Sequence, residues 1–323
     1  MTDPGAAPAL LEVSDLQVRY AGSGLLRARR PLTAVAGVSF EVAEGESLGL
    51  VGESGSGKSS IARALLRLIP ASGQALFQGR DLLRMSGAEL RAVREKLQIV
   101  FQDPLGALDP RMVVAELVGE PLLEFRRSSL AQHRALVTQM LERVGVGGEL
   151  LARYPHQLSG GQAQRVGVAR ALMLGPRLLI CDEPVAALDA SIKSQIANLL
   201  RDMRDEMHLA MLFIAHDLAT VRYLCDRVMV LYLGRVMETA PTAALYGAPR
   251  HPYSRALLAA NPIPDPRLRL AAPIGGEVSA VAALEQGCVF RHRCPIAIAR
   301  CAAERPLLRP VGQNMVACHR AEE

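Results

Sequence analysis

The chain has 323 residues, enough for one large domain or for a domain with an appendage. Half of them are apolar, and the formal charge of +5 suits anionic ligands such as nucleotides without marking a nucleic-acid binder. Tryptophan is absent and aromatics are scarce, which excludes a base-stacking surface for single strands. Met1 to Pro8 lacks the basic and apolar regions of a signal peptide, and no apolar run reaches the ~18 residues of a membrane span. The expectation is a soluble, cytoplasmic polypeptide unless another component brings it to a membrane.

Residues 10–20 alternate loosely and read as a strand ending at Tyr20. A basic, glycine-bearing insertion follows from Ala21 to Pro31, its Arg27, Arg29 and Arg30 most simply a solvated loop. Ala34 to Val42 gives a second strand, and Glu44-Gly45-Glu46 a turn. Ser47 to Val51 is a short buried strand, and Ser60 opens a helix. Between them stands Gly52-Glu53-Ser54-Gly55-Ser56-Gly57-Lys58-Ser59, which fits G-x-x-x-x-G-K-[ST], the phosphate-binding loop. The glycines let several N–H groups point at one anion beside the positive end of a helix. Lys58 should reach the β- and γ-phosphates, and the Ser59 hydroxyl should sit on Mg²⁺. Tyr20, an exposed aromatic just before this loop, could stack on an adenine ring.

Gly79 to Leu97 looks like a loop and an amphipathic helix, and Leu97 to Gln102 a strand ending on a polar residue. Gln102, at the C-terminal end of a strand, could touch Mg²⁺ or the attacking water. From Asp103 to about Tyr154 the β-branched strands stop and apolar residues recur at helical spacing, as in Leu130 to Val144. This reads as a helical subdomain inserted into an α/β core. Ser159, Gly160, Gly161 and Gln162 then open an Ala-rich helix and form a second anion site. One chain does not need two sites for one γ-phosphate, so this one should close over a nucleotide held by another subunit. Arg177 to Pro184 is a hydrophobic strand ending in Asp182 and Glu183. Buried strands rarely end so without a cation or proton to manage. Asp182 would hold Mg²⁺ through water, and Glu183 would deprotonate the attacking water. Asp189 follows, positioned to cross toward a partner subunit. The strand Ala210 to Ala215 ends at His216, able to bond a terminal phosphate oxygen. Arg227 to Leu233 and Arg235 to Glu238 read as a hairpin turning at Gly234.

Residues 261–287 are rich in Pro, Gly and Ala and read as a linker. Beyond it stand Cys288, Cys294, Cys301 and Cys318, with His292 and His319 nearby. In a cytosolic chain such a cluster argues for metal more than for disulfides. Four thiolates suit zinc or an iron–sulfur cluster, and the spacing lacks the tight C-x2-C pairs of zinc ribbons. Zinc, a wider cage and metal-free cysteines all stay open on spacing alone.

The ordered set of Tyr20, Gly52–Ser59, Gln102, Leu158–Gln162, Asp182–Glu183, Asp189 and His216 resembles the nucleotide-binding subunit of an ABC transporter, over nearly the whole chain. The resemblance implies an α/β fold with a RecA-like P-loop NTPase core, an antiparallel β subdomain and an inserted α-helical subdomain. The nucleotide-binding domain would span 8–260, its helical part about 103–165, and a small Cys-rich extension 261–323. It implies adenine stacking by Tyr20 and a Walker A loop from Gly52 to Ser59, with Ser60 in the nucleotide set. Gln102 would be the Q-loop glutamine, and Ser159, Gly160 and Gly161 the signature completing a partner's ATP site. Asp182 would be the Walker-B aspartate, Glu183 the catalytic glutamate, Asp189 the D-loop aspartate and His216 the switch histidine. Ala187 departs from the family, where serine is more usual.

Phe101 to Met112, Tyr154-Pro155-His156-Gln157, Tyr232-Leu233-Gly234-Arg235 and His251-Pro252-Tyr253 resemble the corresponding strings of peptide-importer ATPases, and the insertion after Tyr20 points to the F-type subunit. That implies ATP and Mg²⁺ and a [4Fe–4S] cluster on the four cysteines. It also implies a second ATPase of the D-type, two membrane permeases, an indirectly acting binding protein, and a place at the cytoplasmic face of the membrane. Nickel, glutathione and antibiotic peptides are the alternative cargoes. The rival classes are a soluble ABC ATPase of DNA repair or translation, and a kinase or GTPase, in which Leu158–Gln162 has no task.

Overall fold

The computed structural model describes residues 9–21, 32–126, 129–186, 188–260 and 286–323. The expectations for Arg27, Arg29, Arg30 and Ala187, and for the linker up to residue 285, lie outside these residues. The chain divides into two compact units, one built on residues 85–215 with 42–46, the other on 11–41, 47–84 and 216–323.

The first unit is α/β. Its strands Leu178–Asp182 and Ala210–Ile214 are buried at every position. Such runs, apolar on both faces, belong to parallel sheets covered by helices. They pair in parallel, with Asp182 beside Ile214, and Leu97–Val100 joins the other side with Val100 beside Cys181. The expected strand to Gln102 therefore stops two residues early, and Gln102 lies exposed beyond the ladder. The helices Val114–Arg126, Leu130–Arg143 and Gly160–Leu172 pack on one another, and Leu117, Val118, Val137, Leu141 and Val166 are buried among them. Pro121 lies inside the first of them, withdrawing one backbone donor. Helix Ala190–Met207 starts on Asp189, whose Oδ1 accepts from the Ile192 N–H at 3.0 Å, and ends at His208 in the left-handed region.

The second unit holds two sheets. One has the order Leu32–Ala43, Ala9–Tyr20, Ser72–Phe77, Arg80–Asp81; Ala9–Tyr20 pairs antiparallel with Ser72–Phe77, with a register shift between Ser14 and Gln17 at Asp15, whose φ is +49°. In the other, Ser47–Val51 pairs in parallel with Arg227–Tyr232, which turns through Gly234 into Arg235–Pro241. The C-terminal tail then continues this sheet. Asn314–Val316 pairs with Arg235–Pro241, and Arg309–Val311 forms the edge.

Two devices fasten the tail. Phe290, almost fully buried, packs with its ring centroid 5.3 Å from those of Tyr232 and Tyr253 and 5.8 Å from that of His251. The fully buried Glu238 carboxylate accepts the backbone N–H groups of Arg250 and His251, each at 2.9 Å, and the Asn314 amide at 2.6 Å. A buried carboxylate so satisfied joins hairpin, helix Pro252–Ala259 and tail. Among the described residues no helix is long and apolar enough to cross a membrane.

His251 caps helix Pro252–Ala259, its Nδ1 accepting the Tyr253 N–H at 3.0 Å. Burial pushes its imidazole down to about 3, the Arg255 charge adding to the effect and a hydrogen bond with Ala317 opposing it. The unfolded chain therefore binds this proton first. The stabilising contribution is complete above the ordinary histidine value and is lost as pH falls toward 3. Urea unfolding between pH 6.5 and 5 should show stability dropping by roughly 1 kcal/mol per pH unit from this group, and His251→Asn, which keeps a capping acceptor, should remove that part of the slope.

Candidate functional site

The phosphate loop is built within the second unit. Its supporting strand, Ser47–Val51, is buried throughout and feeds Gly52, at φ +150°, and Gly57, at φ +103°. A Cβ at Gly52 would lie 2.2 Å from the Leu231 carbonyl oxygen, and one at Gly57 would lie 2.3 Å from that of Ala34. Only glycine fits either place, by conformation and by space. The loop curls back on Lys58, whose ammonium donates to the carbonyls of Gly52 at 2.8 Å and Glu53 at 3.1 Å and to Ser56 Oγ at 3.4 Å. Lys58 is buried, while Ser54 and Gly55 are exposed. Helix Lys58–Leu65 has no acid in its first turn, so its positive end faces the loop unopposed by its own carboxylates. Ser59 and Ser60 stand in that turn. The Tyr20 hydroxyl meets Ser60 Oγ at 3.1 Å, which puts this aromatic, over a third exposed, beside the loop's helix.

Glu53 is held by helix Pro252–Ala259 and by the tail. Its N–H donates to the Tyr253 hydroxyl at 2.9 Å. Its carboxylate accepts Arg293 Nη1 at 2.8 Å and Nη2 at 3.1 Å. Arg293 also reaches the Tyr232 hydroxyl at 3.3 Å and lies 5.7 Å from the centre of that ring. The Glu53 carboxylate raises the Arg293 guanidinium above its already high range. Sequence reasoning missed these partners. The strings around Tyr232 and Tyr253 stood out only as resemblances without a task, and nothing local marks Arg293, which lies 240 residues from Glu53.

The first unit carries Gln102, Ser159 to Gln162, Asp182, Glu183 and Asp189. Asp182 ends its strand buried. Glu183 stands at φ +49°, the left-handed region that a non-glycine residue enters at a cost of order 1 kcal/mol. Its N–H donates to the Ile214 carbonyl at 2.9 Å. Its Oε2 accepts the Gln102 amide at 3.0 Å, so two residues 81 positions apart meet. Ser159 and Gln162 form a reciprocal capping box: Ser159 Oγ accepts the Gln162 N–H at 3.3 Å, and Gln162 Oε1 accepts the Ser159 N–H at 2.9 Å. Ser159 and Gly160 are exposed, as is Asp189. His216, in the second unit, is exposed two residues past strand Ala210–Ile214.

Cys288, Cys301 and Cys318 are buried and Cys294 is half-buried. Burial pushes the Cys288 thiol up to about 11, and the charges of Cys301, Cys294 and Cys318 add to it. Burial likewise raises Cys294 and Cys318, each also feeling Cys301. The four thiols thus lie within one another's field. Yet among the described residues no three His, Cys, Asp or Glu side chains gather as ligands for one metal ion. The zinc alternative, which needs its ligands around a single centre, gains no ready-made site among the described residues. The [4Fe–4S] expectation for Cys288, Cys294, Cys301 and Cys318 gains no ready-made ligand cage either.

Residues 35–186 match the ABC transporter family, and residues 237–301 match the C-terminal region of oligopeptide/dipeptide transporters. A probable peptide ABC transporter ATP-binding protein of Sinorhizobium fredii, y4tS, is 48% identical over 316 residues, covering 96% of this chain and 90% of the relative. The oligopeptide transport ATP-binding protein OppF of Escherichia coli is 46% identical over 318 residues, covering 96% and 95%. Among solved structures, the dimeric ATP-binding cassette MJ0796 in a post-hydrolysis state with ADP and Pi superposes with a TM-score of 0.65 at 27% identity, over 72% of this chain and 98% of that one. CbiO1 of Clostridium perfringens, part of the ABC transporter complex cbiONQ, gives 0.64 at 28% identity, over 74% and 91%. The chain belongs to the ABC transporter ATPases, in the branch that carries the oligopeptide/dipeptide transporter C-terminal region.

Gly57→Ala tests the loop. The added methyl meets a backbone carbonyl, so titration with a fluorescent ATP analogue should show affinity falling at least about tenfold, with the far-ultraviolet dichroism of the native protein retained.

Proposed function

We propose that this chain binds and hydrolyses ATP to drive the import of di- or oligopeptides through two membrane permeases. The observation that carries the chemistry is the Gln102–Glu183 hydrogen bond beside the buried Asp182. Backbone N–H groups of the loop and Lys58 receive the phosphates, and Tyr20 stacks on the adenine. Glu183 takes the proton of the attacking water, and Gln102 orients that water through the bond it already makes to Glu183. Mg²⁺, when bound, neutralises the developing phosphate charge. Ser59, Gln102 and, through water, Asp182 would hold it with hard oxygen donors. His216 bonds the terminal phosphate and responds to its loss.

Ser159, Gly160 and Gly161 complete the ATP site of a second, D-type ATPase, and Asp189 crosses toward it. The exposure of Ser159, Gly160 and Asp189 supports this reading. The peptide cargo rests on the relatives, which are named for peptide and oligopeptide transport.

A groove of about 220 Å³ in the first unit runs beside Ile99, Phe101, Leu108, Phe125 and Gln164. Gln164 Nε2 is buried there without a hydrogen-bond partner among the described residues. This groove takes a cytoplasmic helix of a permease, which holds the ATPase at the cytoplasmic face and passes changes near Gln102 to the membrane. A binding protein delivers the cargo from the other side.

For Cys288, Cys294, Cys301 and Cys318 the reading is a [4Fe–4S] cluster, broader than one ion, supported by four mostly buried thiols that feel one another's charge. Protein purified without oxygen should contain iron and absorb in the visible. Absence of both overturns it.

Glu183→Gln should leave ATP affinity within about twofold and lower turnover of the assembled transporter by about a hundredfold or more. Unchanged hydrolysis removes Glu183 from the role of base.

A further inference from the structure

The C-terminal tail reaches the phosphate loop through one side chain. Arg293 ends the short turn Arg291–Arg293, and its N–H is held by the Phe290 carbonyl at 3.0 Å. Phe290 is fixed among Tyr232, Tyr253 and His251, so the guanidinium is delivered from a rigid anchor. Its fork meets both oxygens of the Glu53 carboxylate, at 2.8 and 3.1 Å. The Arg293 side chain is only 8% exposed and that of Glu53 26%, so water screens the pair little.

Glu53 is thereby held at three points. Arg293 takes its carboxylate, the Tyr253 hydroxyl accepts from its N–H, and Lys58 donates to its carbonyl. This is the second residue of the loop, and its peptide sets the direction of the turn that closes with Ser56 N–H donating to the Glu53 carbonyl at 3.1 Å. A loop whose N–H groups must converge on phosphate binds more tightly when that turn is formed beforehand, because less conformational entropy is lost on binding.

We propose that Arg293 is a positioning residue for the nucleotide, a clamp from the tail that holds Glu53 and so presets the phosphate loop. It acts through Glu53 and touches no reacting atom. The inference rests on the loop being the ATP site.

The test uses the full-length chain, a fluorescent ATP analogue with Mg²⁺ and titration well below the melting temperature. Arg293→Gln should raise the dissociation constant about three- to tenfold. A purely structural role would lower the melting temperature or the number of competent sites and leave the constant of the folded fraction unchanged. Glu53→Gln, which removes the carboxylate from the other side, should give the same shift, and the two substitutions together no more than either alone. Arg293→Lys, which keeps the charge but not the fork, should fall between. An unchanged constant in Arg293→Gln or Glu53→Gln overturns the clamp, as do shifts that multiply in the double variant. Should Arg293→Gln fail to fold, Glu53→Gln alone decides. Failure of the unaltered chain to bind the analogue overturns the nucleotide reading itself, and the clamp with it.

Discussion

Burying the Lys58 ammonium is the constraint on which the rest depends. A cation taken out of water must find oxygens, and here the loop supplies the carbonyls of Gly52 and Glu53 and the hydroxyl of Ser56. To bring them inward the backbone must approach Leu231 and Ala34 more closely than any side chain permits. The strands that carry those two carbonyls are therefore fixed in place by the same requirement. Hairpin, antiparallel sheet and loop become one mechanical piece. The buried ammonium that shapes the loop is also what organises its unit.

The other unit answers a different demand. Asp182 stays on the parallel ladder, whereas Glu183 leaves it in a backbone conformation unusual for its type. The cost is held by the bond to Ile214 and by packing on both sides of the strand. One carboxylate stays buried at the strand's end, and the next meets the Gln102 amide. Adjacent residues thus acquire separate tasks from a single change of φ.

Local features were legible in the sequence because their cause is local. The loop, the serine–glycine helix start and the acidic strand end each carry their geometry in consecutive residues. The glutamine was legible in kind, though its strand ends at Val100 because Phe101 onward makes no ladder pair. The strand Ser72–Phe77 went unread, since glycine and glutamine at its start give no alternation to see. The three-residue strands of the tail are too short for any period. Arg293 was invisible for a plainer reason: an ion pair closing over so long a stretch of chain leaves no pattern in either neighbourhood. The cysteine spacing was equally mute about distance: three of the four thiols are buried, and the spacing does not say how far apart they stand.

The edge strand Arg309–Val311 has a consequence for how copies of the protein coexist in a crowded cell. It is three residues long and carries Pro310, which has no backbone donor, beside the charged Arg309. A rim so brief and so poor in N–H groups gives a neighbouring molecule's strand almost nothing to zip onto. The edge that Arg309–Val311 forms is thus closed to runaway strand-on-strand polymerisation.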